Sequence, residues 1–135
     1  MKTNATQRSM QHLRNLGWQV AKVEAWIPPR GAMKFGVRRD VWGFGDLLAC
    51  IPKVTWHDKT THIQIGEPLP PRIALIQCCS DSGGKAGMQA HKEKILAIPE
   101  YRYWKLCGGI VLLHGWKRRK PRGQRAQWIL SEEEL

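Results

Sequence analysis

Three short apolar runs constrain this chain more than any other feature. They are the second half of VWGFGDLLACI at 41–51, RIALIQCC at 72–79 and GIVLLHGW at 109–116. A brief, almost unbroken apolar run without polar alternation reads as a strand covered on both faces. Two helical segments frame these strands. In the first, at about 6–16, Met10, Leu13 and Leu16 recur at spacings of three, with Gly17 placed to end the helix. The second runs from 85 to 98, stops before Pro99, and presents Met88, His91, Ile95 and Ile98 on one face.

The rest of the chain fills in around them. Residues 18–27 are rich in β-branched and aromatic side chains and end at Pro28-Pro29, which predicts a strand followed by a loop at 28–36. The less apolar excursion 52–71 has room for a short irregular strand near 62–65, and 80–84 is turn chemistry. A last strand is expected at 126–130 and an acidic tail at 131–135. Only turns and loops join the first three strands, so they form a meander. The helix at 85–98 then crosses to the strand at 109, which makes that pair parallel by the right-handed crossover rule. The expectation is an α/β fold with a mixed β-sheet flanked by α-helices, in one domain of 135 residues.

Charge narrows the partner. The chain holds 22 Lys plus Arg against 11 Asp plus Glu, a formal net charge of +11. Such an excess points to a polyanion. A membrane surface would require a basic amphipathic helix or a lipid anchor, and neither is written here. No apolar run approaches the roughly 20 residues needed to cross a bilayer, and the first residues lack an apolar signal core. The expectation is a cytoplasmic protein that meets nucleic acid and no membrane. Its clearest electrostatic feature is the run Lys117, Arg118, Arg119, Lys120, Arg122 and Arg125 between two strands. If all six contacted phosphates, the logarithm of affinity would fall with the logarithm of salt at a slope of about −5. The bland alternative is a solvated loop. Arg38 and Arg39, just before the Asp46 strand, and Lys85 are further candidate phosphate ligands. Cys50, Cys78, Cys79 and Cys107 do not follow zinc spacing and read as reduced, small hydrophobes.

Two polar residues interrupt the apolar runs. Asp46 follows GFG and precedes Leu47, Leu48 and Ala49. A carboxylate in that setting is costly unless it is paired or holds a metal. The alternative is an Asp that caps a turn made by Gly43 and Gly45. Gln77 interrupts the second run, and Cys79 shares its side of the strand. If the two strands are neighbours, Asp46 and Gln77 converge at one end of the sheet. Oxygen donors of this kind suit a hard cation such as Mg²⁺, which activates water and neutralises a phosphodiester under attack.

RRDVWGFGDLLACI, then RIALIQCCS, then a Lys-bearing helix containing KI, together resemble the PD-(D/E)XK nuclease superfamily. The likeness is greatest to its small phage and bacterial members related to Holliday-junction resolvases, and it covers roughly 13–130. The resemblance implies a restriction-endonuclease-like fold and Mg²⁺- or Mn²⁺-dependent DNA cleavage, in the cytoplasm of a bacterium or a phage-infected host. Asp46 matches the metal-binding Asp of the family's first signature strand. Gln77-Cys78-Cys79 occupies the place of Glu-x-Lys, and Glu24 on the first strand is the best match for a further carboxylate, ahead of Asp40. The implied metal set is therefore Asp46, Gln77, Cys78 and Glu24. Gln77 stands where an acid is usual, and Cys79 where a Lys is usual. Some members carry that Lys on the following helix, where Lys92 and Lys94 flank the apolar face and Lys85 lies further round. Resolvase-like members commonly work as dimers.

Two rivals accompany the nuclease reading: a non-cleaving nucleic-acid-binding protein on a nuclease fold, and an assembly component whose basic loop touches nucleic acid incidentally. Of the tryptophans Trp18, Trp26, Trp42, Trp56, Trp104, Trp116 and Trp128, most lie in strand-like segments and are expected in the core. Trp56, in the polar excursion, is the candidate for stacking on a base. The histidines suggest no triad with a nucleophile. His57 and His62, with Asp58 between them, are a weak metal pattern, and His91 reads as a core histidine.

Overall fold

Helix α1 (Ala5–Asn15) opens on a reciprocal cap: the Asn4 side chain accepts from the Gln7 backbone N–H at 2.9 Å, and Gln7 Oε1 accepts from Asn4 N–H at 3.1 Å. Two of the helix's orphan donors are thus satisfied. The far end closes as the sequence predicts, with Gly17 at φ +92 just past the last turn. The computed structural model describes residues 4–32, 34–51, 72–80 and 85–135, apart from the side chains of Arg38, Ile51, Lys85 and Ala86. The excursion with Trp56, His57, Asp58 and His62, and the turn at 81–84, lie outside the described residues.

Among the described residues seven strands and two further helices follow: β1 (Gln19–Lys22), β2 (Ala25–Ile27), β3 (Val37–Arg39), β4 (Leu47–Ile51), β5 (Arg72–Ser80), α2 (Lys85–Ala97), α3 (Pro99–Leu106), β6 (Ile110–Arg119) and β7 (Gln127–Glu134). The main sheet runs β1-β4-β5-β6-β7, and β2 pairs with β3 in a small hairpin beside it. β1, β4 and β5 form the expected antiparallel meander, β5 and β6 are parallel across the helical crossover, and β7 is antiparallel to β6. The result is a mixed five-stranded sheet with helices, an α/β arrangement.

Side-chain alternation along β5 divides the core in two. Ala74 and Ile76 join Leu13 of α1, Leu47 and Ala49 on one face. Leu75 joins Phe44, Val111 and Ile95 of α2 on the other. The predicted apolar face of α2 is the one used, since Ile95 is buried and Ile98 packs against the same cluster.

Four expectations are corrected. The strand foreseen at 18–27 is two strands, because the N–H groups of Val23 and Glu24 both donate to the Asp46 carbonyl, at 3.1 and 3.2 Å, which interrupts the ladder. The crossover carries an additional helix, α3, with Pro99 at its first turn, where its missing N–H costs nothing. β6 continues through Lys117, Arg118 and Arg119, so half of the basic run is strand. The acidic tail is instead the outer strand β7, whose acids are tied to bases elsewhere: Glu132 to His114 at 2.8 Å, Glu133 to Lys92, and Glu134 to Arg72 at 2.7 Å.

The chain enters β4 through a tight turn in which Phe44 N–H donates to Val41 O at 3.1 Å. Trp42 and Gly43 both take positive φ, +54 and +81, the geometry of a type I′ turn. Gly43→Ala is expected to destabilise the fold by about 1–2 kcal/mol through backbone strain alone. A Cβ there would meet nothing nearer than Ile98 Cδ1 at 3.9 Å, so denaturant titration of this variant isolates the conformational term.

Candidate active site

The main-chain atoms of Asp46 hold three strands together. Its N–H donates to Ile76 O of β5 at 3.0 Å, while its carbonyl takes the two N–H groups between β1 and β2. This stitching brings Glu24 alongside Asp46 and leaves the Asp46 side chain just beyond the last β4–β5 pair, Leu47–Ile76. A cleft of about 340 Å³ opens there, lined by Glu24, Asp40 and Asp46, by residues 77–80 and by residues 4–6 at the start of α1.

Asp46 is 5% exposed. Its Oδ2 accepts from Gln77 Nε2 at 2.8 Å and from the Cys78 backbone N–H at 2.7 Å. The carboxylate therefore serves β5 and does not cap the glycine turn. Burial pushes its pKa up to about 7; the Cys78 N–H opposes this, while a side-chain hydrogen bond with Glu24 and the charges of Glu24 and Asp40 add to it. Glu24 also lies 3.9 Å from Lys22 Nζ. Gln77 Nε2 is shared between Asp46 and, at 3.3 Å, Cys78 O.

Asp46, Gln77, Glu24 and Asp40 are thus brought together as the sequence suggests, while other candidates are placed differently. Cys78 serves the cleft through its backbone. Its thiol packs toward the α1 core, where burial pushes its pKa up to about 12, so it stays protonated and is a poor ligand. Cys79 is buried beside Gln77's face of the strand. Lys92 and Lys94 are not among the residues lining the cleft. Lys92 is paired with Glu133, and Lys94 is exposed in the last turn of α2. Among the described residues, no three His, Cys, Asp or Glu side chains are grouped closely enough to hold a metal ion by themselves.

The candidate phosphate ligands are spread over several elements. Arg38 and Arg39 sit on β3, paired with Trp26 and Ala25, and Lys85 starts α2. Arg118, Arg119, Lys120, Arg122 and Arg125 are exposed and Lys117 is half-buried. Cys50 and Cys107 are exposed rather than packed as small hydrophobes, and none of the four cysteines is in a disulfide. Trp26, Trp42 and Trp128 are also exposed, at 62%, 46% and 42%, so three tryptophans expected in the core reach the surface.

Two arrangements on the α1 face escaped the sequence. His114 Nδ1 lies 2.9 Å from Ser9 Oγ, its Nε2 lies 2.8 Å from Glu132 Oε2, and Trp116 Nε1 donates to Ser9 Oγ at 2.9 Å. A histidine does therefore link a serine to an acid, but Ser9 and His114 are both 0% exposed. Without access for a substrate this is a packing network. The His114 hydrogen bond holds Glu132 below the usual carboxylate range. Beside it, the Arg8 guanidinium lies 3.4 Å over the Trp128 ring. Contacts between residues more than a hundred positions apart leave no local sequence pattern. The start of α1 at the cleft did leave one, the Asn4-x-x-Gln7 cap.

Comparison of the chain with family models, curated proteins and solved structures gave no match.

Proposed function

We propose that the cleft is the active site of a metal-dependent endonuclease that hydrolyses phosphodiester bonds in DNA, including branched DNA, on a restriction-endonuclease-like fold. One observation carries this reading: Asp46, Glu24, Asp40 and Gln77 converge from separate elements on one cleft, with Asp46 pushed up to about 7 by burial and by its acidic neighbours. A buried carboxyl crowded by other acids is a group that a cation would discharge. The donors are oxygens, as Mg²⁺ and Mn²⁺ prefer. Mg²⁺ usually takes only one or two carboxylates from protein and completes its shell with water and phosphate, so the absence of a three-acid cage among the described residues is compatible with it.

Asp46 and Glu24 would hold the ion, with the Gln77 amide oxygen beside them. Such an ion supplies Lewis acidity toward water and the scissile phosphate. Gln77 Nε2 and Cys78 N–H fix Asp46 Oδ2 and so aim the remaining oxygen, Oδ1. The basic end of β6 and the loop after it attract the phosphate backbone.

A second reading has its own support. Lys92 is engaged by Glu133, and Cys79 occupies the position where the resemblance places a Lys; both favour a protein that binds nucleic acid without cutting it. Supercoiled plasmid and a four-way junction incubated with Mg²⁺, Mn²⁺ or EDTA separate the two. Nicked or resolved product in the metal lanes alone is expected. Salt-sensitive binding with no product under any metal would establish the binder.

A further inference from the structure

We infer that the groove between α1 and the β6–β7 hairpin binds single-stranded nucleic acid, with Trp128 and Arg8 as its stacking platform. The groove has a volume of about 740 Å³, within the roughly 300–1,000 Å³ of ligand clefts. One flank of α1 forms one wall, and Trp116 and Trp128 form the other. Among the described residues Arg8 and Arg14 are its charged members, with His12 beside them, and no Asp or Glu lines it. Its sign and its aromatic walls therefore suit an anion that carries flat rings.

Arg8 supplies the sharpest indication. Its guanidinium carbon lies over the Trp128 ring, 3.4 Å from the centroid, and its Nε is shielded from solvent with no hydrogen-bond partner among the described residues. A shielded N–H lacking an acceptor is unfavourable. A phosphate oxygen entering the groove is an acceptor of the right charge. Trp128 also pairs across the ladder with Arg118. Side chains opposite one another on antiparallel strands share a face, so Arg118 extends the platform toward the basic run.

The occupant follows from the rings. In a duplex the base faces are stacked on one another and out of reach of an indole, whereas unpaired bases stack readily on Trp and on Arg planes. A surface built for duplex phosphates alone would have no use for Trp128 partly exposed beside three arginines. The groove and the carboxylate cleft share α1 as a wall: Thr6 lines the cleft, and Gln7 and Arg8, next in the helix, line the groove. A strand lying along α1 is delivered to Asp46. In that respect the inference rests on the nuclease reading and names its substrate as an unpaired strand or a branch arm. Binding measured in EDTA is independent of cleavage, so either can fail without the other.

Anisotropy of fluorescein-labelled oligo(dT), oligo(U) and a duplex of equal length, in EDTA, tests the groove. Either single strand should bind more tightly than the duplex. Trp128→Ala should weaken single-strand binding by about 10-fold or more, and Trp128→Phe by less than about 3-fold, as stacking energies imply. Arg8→Gln should weaken it by about 5-fold and reduce the salt slope by about 0.7, the share of one phosphate contact. Trp128 is 42% exposed, and unchanged circular dichroism of each variant checks its fold. Binding by Trp128→Ala and Arg8→Gln within about 2-fold of the unmodified protein would overturn the inference, as would poly-glutamate competing as well as oligo(dT) at equal charge.

Discussion

Asp46→Asn is expected to lower metal-dependent cleavage by at least about 100-fold, since even residues that merely support metal ligands are worth 10–100-fold, and to make the protein more stable at neutral pH. The two effects share one cause. The variant keeps an oxygen able to accept from Gln77 Nε2 and Cys78 N–H, but carries no charge for a cation or for Glu24 and Asp40 to act upon. In the unmodified protein the pKa of Asp46 is raised from 3.8 to about 7. Between those limits the folded chain holds a proton that the unfolded chain has released. Stability is therefore greatest below about pH 4 as far as this group is concerned, and falls by up to about 1.4 kcal/mol per pH unit until about pH 7. Urea titrations of both proteins from pH 4 to 8 should show that slope in the unmodified chain and its loss in the variant. Added Mg²⁺ should restore stability to the unmodified chain at pH 8 and leave the variant unchanged. Equal nicking by the two proteins would remove Asp46 from the chemistry, whatever the stability curves show.

Ser9→Ala should cost roughly 2–4 kcal/mol, a large effect for the removal of one oxygen. Its hydroxyl is the partner of both Trp116 Nε1 and His114 Nδ1. Ser9 and His114 are fully buried, so solvent is not at hand to replace the lost bonds. Each buried polar group left without a partner costs about 1–3 kcal/mol. Ser131→Ala, at an exposed position in β7, provides the comparison and should change stability by less than about 0.5 kcal/mol. Chemical denaturation that finds Ser9→Ala no worse than Ser131→Ala would show that the network contributes nothing. Because the network joins α1 to β6 and β7, its loss should also loosen the α1 face, seen as faster amide exchange in α1 than in α2.

The parts of the fold that were legible are those written in local pattern. The buried strands β4, β5 and β6 announce themselves as apolar runs, α1 and α2 by periodicity, and the parallel β5–β6 pair by the helix between them. What stayed hidden depends on distant partners. β7 reads as an acidic tail because its glutamates look solvated until Arg72, Lys92 and His114 are placed opposite them. Val23 and Glu24 carry no breaker residue, so nothing local reports that both turn to the Asp46 carbonyl. The convergence of Asp46 and Gln77 was visible because each is a polar residue inside an apolar run. The pairing of Lys92 with Glu133 was not, since a helical wheel ranks positions without naming neighbours.

The way Asp46 is built into the sheet separates scaffold from reagent. The strands meet there through peptide N–H and C=O groups, which every residue possesses. The dimensions of the cleft are therefore set by atoms that substitution at 46, 77 or 79 does not remove. Side chains at those positions are exchangeable fittings in a fixed frame. A frame of this kind would take an acid or an amide, a lysine or a cysteine at those positions without refolding, so on the proposed reading the choice between cutting and holding would fall to the side chains alone.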